Sequence, residues 1–267
     1  MIVSRSIALP WLLGAAFLSA ILLGAPPRSF ARGQTYDTFT TRTPLAPGET
    51  LILGFQGGRE RWDNDRTGVG RLALKLREVK REGVHVETVE NRKRPLAVEL
   101  VRRAFDRNQD GTLDDAERQS ARVILYGHSF GGAAVVKLAR ELEATGISVL
   151  LTVQIDSVGR GDEVVPPNVA RAANLFQRNG FLIRGEPAIR AENPERTKIL
   201  GNFEFDYSKK KIDLSQTTWI RRLGRTAHTK MEFDPEVWEK VEGIILQELS
   251  PTATKTATPR ISSASHR

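Results

Sequence analysis

The sequence predicts an α/β fold, a mainly parallel sheet covered by helices on both faces. Three observations lead there. Short β-type runs alternate with segments of helical period through the middle of the chain. The firmest of those runs are continuously apolar, as strands buried on both faces are. Two of them lead straight into glycine-rich loops, and in open parallel sheets chemistry collects at the carboxyl ends of strands.

The elements follow in chain order. Leu51-Ile52-Leu53 reads as a buried strand entering the loop Gly54-Phe55-Gln56-Gly57-Gly58. Val69, Leu72, Ala73, Leu76 and Val79 recur at helical spacing, and Gly83 closes that helix. Val84 to Val89 alternates like a strand. Pro95 opens a second helix that runs through Leu100 to Phe105. Val123-Ile124-Leu125-Tyr126 is a strand, Ala134 to Leu142 a helix, and Ile147 to Ile155 the longest β-type run. A weaker strand is expected at Lys198 to Phe205. Asp234-Pro235, an N-cap residue followed by proline in the first turn, starts a last helix that ends near Leu249.

The ends read as segments outside this fold. Ile7 to Ala25 is almost wholly apolar, follows Arg5 and precedes Pro26-Pro27-Arg28, with small residues at Ser29 and Ala31. Residues 1–31 are therefore read as a secretory signal peptide, cut after Ala31. This implies a secreted or periplasmic protein, or a membrane-anchored one if residues 7–25 stay attached. Residues 32–249 form the domain, and the Ser-, Thr-, Ala- and Pro-rich residues 250–267 a solvated tail. The chain of 267 residues has no cysteine, which excludes disulfides, thiolate nucleophiles and iron–sulfur clusters. Its formal charge of +8 raises the question of polyanionic partners. Nucleic-acid binding would interleave aromatic and basic residues, yet only Tyr207 stands near Lys209-Lys210-Lys211. No nucleic-acid partner is expected; peripheral contact with anionic surfaces is.

Directly after the strand at 123–126 comes Gly127-His128-Ser129-Phe130-Gly131-Gly132, then a helix. This is G-x-S-x-G in a strand–turn–helix context. Such a turn needs glycines because side chains two residues either side of the serine would strike the neighbouring strand and helix. The helix behind Ser129 aims backbone N–H groups at any oxyanion formed there. The hexapeptide resembles the elbow of lipases and related esterases of the α/β-hydrolase superfamily. The resemblance implies a serine hydrolase with Ser, acid and His in that chain order, on a reduced α/β-hydrolase fold without the two leading strands. It also implies an oxyanion hole from the backbone N–H of Phe55 (or Gln56) and of Phe130, although Leu53-Gly54-Phe55 lacks the histidine such enzymes carry there.

The chain has four histidines. His128 lies inside the elbow, pointing away from where a base must stand, and reads as packing. His85 alternates on a strand, and His266 is in the tail. His228 remains, on a loop just before the last helix, where the resemblance also places the catalytic histidine. Three residues compete as the acid. Asp156 abuts the apolar strand that ends at Ile155 and would need a partner there. Asp162 lies in Gly159-Arg160-Gly161-Asp162-Glu163-Val164-Val165-Pro166, similar to another acid loop of α/β-hydrolases. Asp206 ends the weaker strand. Asp156 is preferred.

Asp106 to Glu117 fits D-x-[DN]-x-[DN]-G-x5-E, an EF-hand-type calcium loop. Ca²⁺ would take side-chain oxygens from Asp106, Asn108 and Asp110, the Thr112 carbonyl, a water-mediated contact at Asp114 and a bidentate Glu117, with Gly111 at the sharp turn. Residues 163–195 exceed a plain crossover and are a candidate cap over the site. The expectation is a monomeric, secreted serine hydrolase acting on small-molecule or lipid esters, with structural calcium. The competing reading is a non-catalytic calcium-dependent binding module on the same scaffold.

Overall fold

The computed structural model describes residues 33–180, 183–215 and 226–250. The expected signal peptide with its cleavage point, residues 181–182 of the expected cap and the tail beyond Ser250 lie outside the described residues. No helix among the described residues is long and apolar enough to cross a membrane.

Six parallel strands make the main sheet. They are β1 (Thr50–Gln56), β2 (Val84–Glu90), β3 (Val123–His128), β4 (Val149–Ile155), β6 (Val169–Phe176) and β8 (Lys198–Glu204), in the spatial order β2-β1-β3-β4-β6-β8. Two short strands, β5 (Val164–Val165) and β7 (Arg190–Ala191), pair with each other in a separate ladder. The main connections are made by α1 (Gly68–Glu78), α2 (Arg94–Phe105), the short α3 (Asp115–Ser120) and α4 (Phe130–Glu143), followed by α5 (Ala227–Phe233) and α6 (Pro235–Leu249).

Both faces of the sheet are buried because each strand sends alternate apolar side chains to opposite sides. Leu51, Leu53, Phe55, Val123, Leu125 and Val149 meet Leu100, Phe105, Leu138 and Leu142 of α2 and α4. Ile52, Ile124, Tyr126, Leu151, Val153 and Ile155 meet Leu72 and Leu76 of α1, Met231 of α5 and Val241 and Ile245 of α6. This is the α/β architecture the sequence predicts, a parallel sheet with helices on both faces. The chain runs outward from β1 to β2 and then back across β3, β4, β6 and β8, so strand order reverses between β1 and β3. Loops leaving those neighbours diverge, and the crevice between them is where such a sheet holds a site.

Three elements differ from expectation. The apolar part of the segment expected as a cap, Val169 to Phe176, is a full strand paired with β4 and β8. Ala172-Ala173-Asn174 gave it little hydropathy, yet these residues are wholly buried. The first strand continues to Gln56 instead of stopping at Leu53, because the Gln56 side chain is satisfied inside the fold: its amide donates to Asn64 O (3.2 Å) and accepts from Thr67 Oγ1 (2.8 Å). His228, expected on a loop, sits in the first turn of α5, whose N-cap Thr226 accepts from Thr229 N.

Candidate active site

Ser129 follows β3 with φ 58° and ψ −124°, a backbone conformation that costs a non-glycine residue about 1–3 kcal/mol. The surroundings enforce it. Ser129 N donates to Ile155 O (2.9 Å), and Ser129 O accepts from Gly132 N (3.0 Å) and Val158 N (3.1 Å). The elbow glycines are required by space. A Cβ at Gly127 would lie 2.4 Å from Gly131 O, and one at Gly131 would lie 2.1 Å from Phe55 O. The turn therefore closes only with hydrogen at both positions.

Asp156 directly follows the adjacent strand β4 and is also held at positive φ (42°), its N–H donating to Leu175 O on β6 (2.7 Å). Its side chain is completely buried. His228 reaches in from α5. His228 Nδ1 lies 2.6 Å from Asp156 Oδ2, and Nε2 lies 3.0 Å from Ser129 Oγ. The three side chains thus form one hydrogen-bonded line across the ends of β3 and β4. Asp162 and Asp206 are not on it. Asp162 accepts from the Ser157 hydroxyl, and the Ser208 amide N–H holds the exposed Asp206 carboxyl below its usual range.

Two expectations are corrected. The structure places Phe55 inside β1, fully buried and in register between Val89 of β2 and Gly127 of β3, so its backbone belongs to the sheet. The loop residue brought to the nucleophile is Gly57, where an added Cβ would stand 3.3 Å from Ser129 Cβ. Asn91 fixes that loop by donating to Gln56 O (2.9 Å) and Gly58 O (2.7 Å). Gly54, expected as part of the oxyanion loop, makes room for the Tyr126 ring, which a Cβ would approach to 2.5 Å. His128 does not point away: its ring stacks on that of His228, with centroids 4.7 Å apart and planes at 25°, and meets Trp238 edge-on at 6.5 Å. Phe130, at the head of α4, keeps its side chain 53% exposed beside Ser129.

Sequence reasoning missed Gln177. Its buried side chain donates to Asp156 Oδ2 (3.0 Å) and Ile183 O (3.1 Å) and accepts from Gly180 N (2.8 Å), joining the carboxylate to the segment after β6. A glutamine just past a strand carries no pattern that would have marked it.

The calcium-type loop lies between α2 and α3, away from this line. Asp106 Oδ2 accepts from Gly111 N (2.9 Å), Asn108 Oδ1 from Asp110 N (2.9 Å) and Asp110 Oδ1 from Thr112 N (2.8 Å). The Thr112 amide and hydroxyl hold the Asp110 carboxyl below its usual range. Positive φ at Gln109 (58°) and Gly111 (90°) reverses the backbone around the acids. Glu117 turns its carboxylate to the amides of Arg107 (2.8 Å), Asn108 (3.3 Å) and Asp114 (3.0 Å), completing a capping box on α3. Asp106 Oδ1 is buried without a hydrogen-bond partner. An all-oxygen donor set with an orphaned carboxylate oxygen fits a hard cation.

No family model matches the chain, and no curated protein matches it. Among solved structures it is similar to an uncharacterized protein from Pseudomonas aeruginosa (12% identity, TM-score 0.37), covering 59% of this chain and 40% of that one. It is also similar to a dienelactone hydrolase from Anabaena variabilis ATCC 29413 (13% identity, TM-score 0.37, 76% of this chain and 87% of that one). A type II thioesterase, BorB from the borrelidin biosynthetic cluster, overlaps 78% of this chain and 97% of its own (12% identity, TM-score 0.39). The chemistry of the site rests on its own geometry: a hydroxyl, an imidazole and a buried carboxylate in line, at the head of a helix.

Proposed function

We propose that this chain is a serine hydrolase that cleaves carboxylic esters, lipase- or esterase-like, through an acyl-enzyme on Ser129. The observation that supports it above all is the Ser129–His228–Asp156 line on a strained elbow. Asp156 accepts the Nδ1–H of His228, which leaves the Nε2 lone pair facing Ser129 Oγ. Oγ attacks the ester carbonyl carbon as its proton passes to Nε2. The negative charge that develops on the carbonyl oxygen is met by the Phe130 N–H at the head of α4 and by a donor from the Gly57-Gly58 loop. Collapse expels the alcohol, which takes the proton from Nε2 and leaves the acyl group on Oγ. Water then attacks the acyl carbon, giving its proton to Nε2. The carboxylic acid departs and Oγ recovers the proton.

Two of the four exposed large apolar side chains among the described residues favour an apolar acyl group. Phe130 adjoins the nucleophile, and Ile183 is tied through its carbonyl to Gln177 beside the acid. We further propose that Asp106, Asn108, Asp110, Thr112, Asp114 and Glu117 hold Ca²⁺ as a structural ion. When bound it would neutralise the loop acids and tie α2 to the approach of β3. The leader-like residues 1–31 support secretion. A fluorophosphonate probe should label the parent and not Ser129→Ala, and a panel of chromogenic esters should give turnover. Absent or equal labelling overturns the proposal.

A further inference from the structure

We propose a second divalent-cation site, distinct from the loop at 106–117, formed by Asp162, Glu163 and Glu186 beneath the segment that carries Asp156. One carboxylate oxygen from each of the three lies within 4.8 Å of the other two. Their chain segments are laced together: Glu186 N donates to Ser157 O (2.9 Å), Arg190 N to Glu163 O (2.8 Å) and Glu192 N to Val165 O (2.9 Å). Three acids are thus held on one spot by main-chain ties that leave them little room to part. None of the three forms an ion pair among the described residues. Like charges gathered this way destabilise the fold unless something offsets them.

A cluster of acids alone is common on protein surfaces; the floor of this one is unusual. Gln154 of β4 and Asn174 of β6 are register partners on the sheet face covered by α4, and both are completely buried. The Gln154 amide nitrogen donates to Asp162 O (2.8 Å), and that of Asn174 donates to Glu186 O (2.7 Å). Each amide is therefore anchored to a residue of the acid cluster. The oxygen of each amide, Gln154 Oε1 and Asn174 Oδ1, is buried with no hydrogen-bond partner. Native folds rarely leave such acceptors unpaired, and both belong to side chains tied to the main chain of the cluster.

Oxygens on a Ca²⁺ shell of about 2.3–2.6 Å are separated by at most about 4.6–5.2 Å, so three carboxylate oxygens within 4.8 Å of one another can share one such ion. Three carboxylates are hard donors of the kind Ca²⁺ takes. An ion here would clamp residues 156–163 to the segment 185–192, stiffening the stretch that follows Asp156.

The test is calorimetric Ca²⁺ titration of the full chain after chelation. In an Asp106→Asn/Asp110→Asn background, one Ca²⁺ per chain should still bind, and a hundredfold excess over Kd should raise Tm by about 5–10 °C. Adding Glu163→Gln/Glu186→Gln should weaken that binding on the order of 100-fold. In EGTA the same pair should leave Tm equal to or above that of the background, because the repulsion is gone. A background protein that binds no Ca²⁺, or a quadruple variant that binds it as before, overturns the proposal. Should the background variant fail to fold, Glu163→Gln/Glu186→Gln in the parent must lower the bound Ca²⁺ by one per chain; an unchanged count refutes the site.

Discussion

Gly131→Ala tests whether the gap between β1 and α4 sets the rate. The new Cβ would stand 2.1 Å from Phe55 O, 2.8 Å from Phe55 C and 3.0 Å from Gln56 O, all main-chain atoms that no rotamer change can move. Relief requires α4 and the end of β1 to separate by about 1 Å, at a cost of about 1–3 kcal/mol. For a domain of this size that lowers Tm by about 3–10 °C. The two donors proposed for the oxyanion lie on either side of this contact, one at the head of α4 and the other in the loop after β1. Displacing them by about 1 Å should lower kcat on the order of 100-fold and leave KM nearly unchanged, since the ground-state carbonyl makes little use of them. The assay is steady-state ester hydrolysis, with active sites counted by fluorophosphonate labelling, beside thermal melts. A kcat within threefold of the parent, in a protein whose Tm has fallen as expected, would refute the argument that this contact spaces the oxyanion donors.

Gly243→Ala is the counterpart in α6: no atom lies within 4 Å of the added Cβ, so Tm should rise with a gain of about 0.5–1 kcal/mol and the rate should not change. Asp156→Asn should reduce kcat on the order of 10⁴-fold by leaving His228 without its anionic partner, whereas Asp206→Asn should keep parental kinetics; equal losses in the two variants would sink the assignment of the acid. EGTA should lower the melting temperature more than the initial rate at low temperature, and a collapse of rate at unchanged Tm would show that calcium acts in the chemistry. Arg102, with Arg103, holds the Glu99 carboxyl below its usual value of 4.5. The folded-state pKa is depressed, so this stabilisation is full above the unfolded value and is lost as pH falls through the folded one. Glu99→Gln should flatten the acid side of Tm against pH, and added salt should shrink the difference.

The sheet and the nucleophile were legible because their signals are local. Leu51-Ile52-Leu53 and Val149 to Ile155 are apolar at consecutive positions, and the elbow is six adjacent residues. The fifth strand of the sheet was hidden because Ala172, Ala173 and Asn174 are small or polar; their burial depends on β4 and β8 on either side, which no window of sequence contains. The choice among Asp156, Asp162 and Asp206 depends on which carboxylate meets an imidazole 72 residues from Asp156. Phe55 was misread for a different reason. A glycine before it suggested the start of a loop, but Gly54 is explained by the Tyr126 ring on the neighbouring strand. Gln56 then carries the strand further by satisfying its side chain within the fold.

The amides of Ser129 and Asp156 each donate to a carbonyl near the end of the next strand over, Ile155 O on β4 and Leu175 O on β6. Two members of the reactive line are therefore rungs of the sheet's own ladder, and they can be exposed only by opening its centre. His228 belongs to a seven-residue helix outside that ladder. On heating, the site should come apart unevenly. Hydrogen exchange at Ser129 and Asp156 should be as slow as anywhere in the molecule, while the base departs early. Reversible loss of activity would then precede the global melt, because a histidine has left two residues that are still in place.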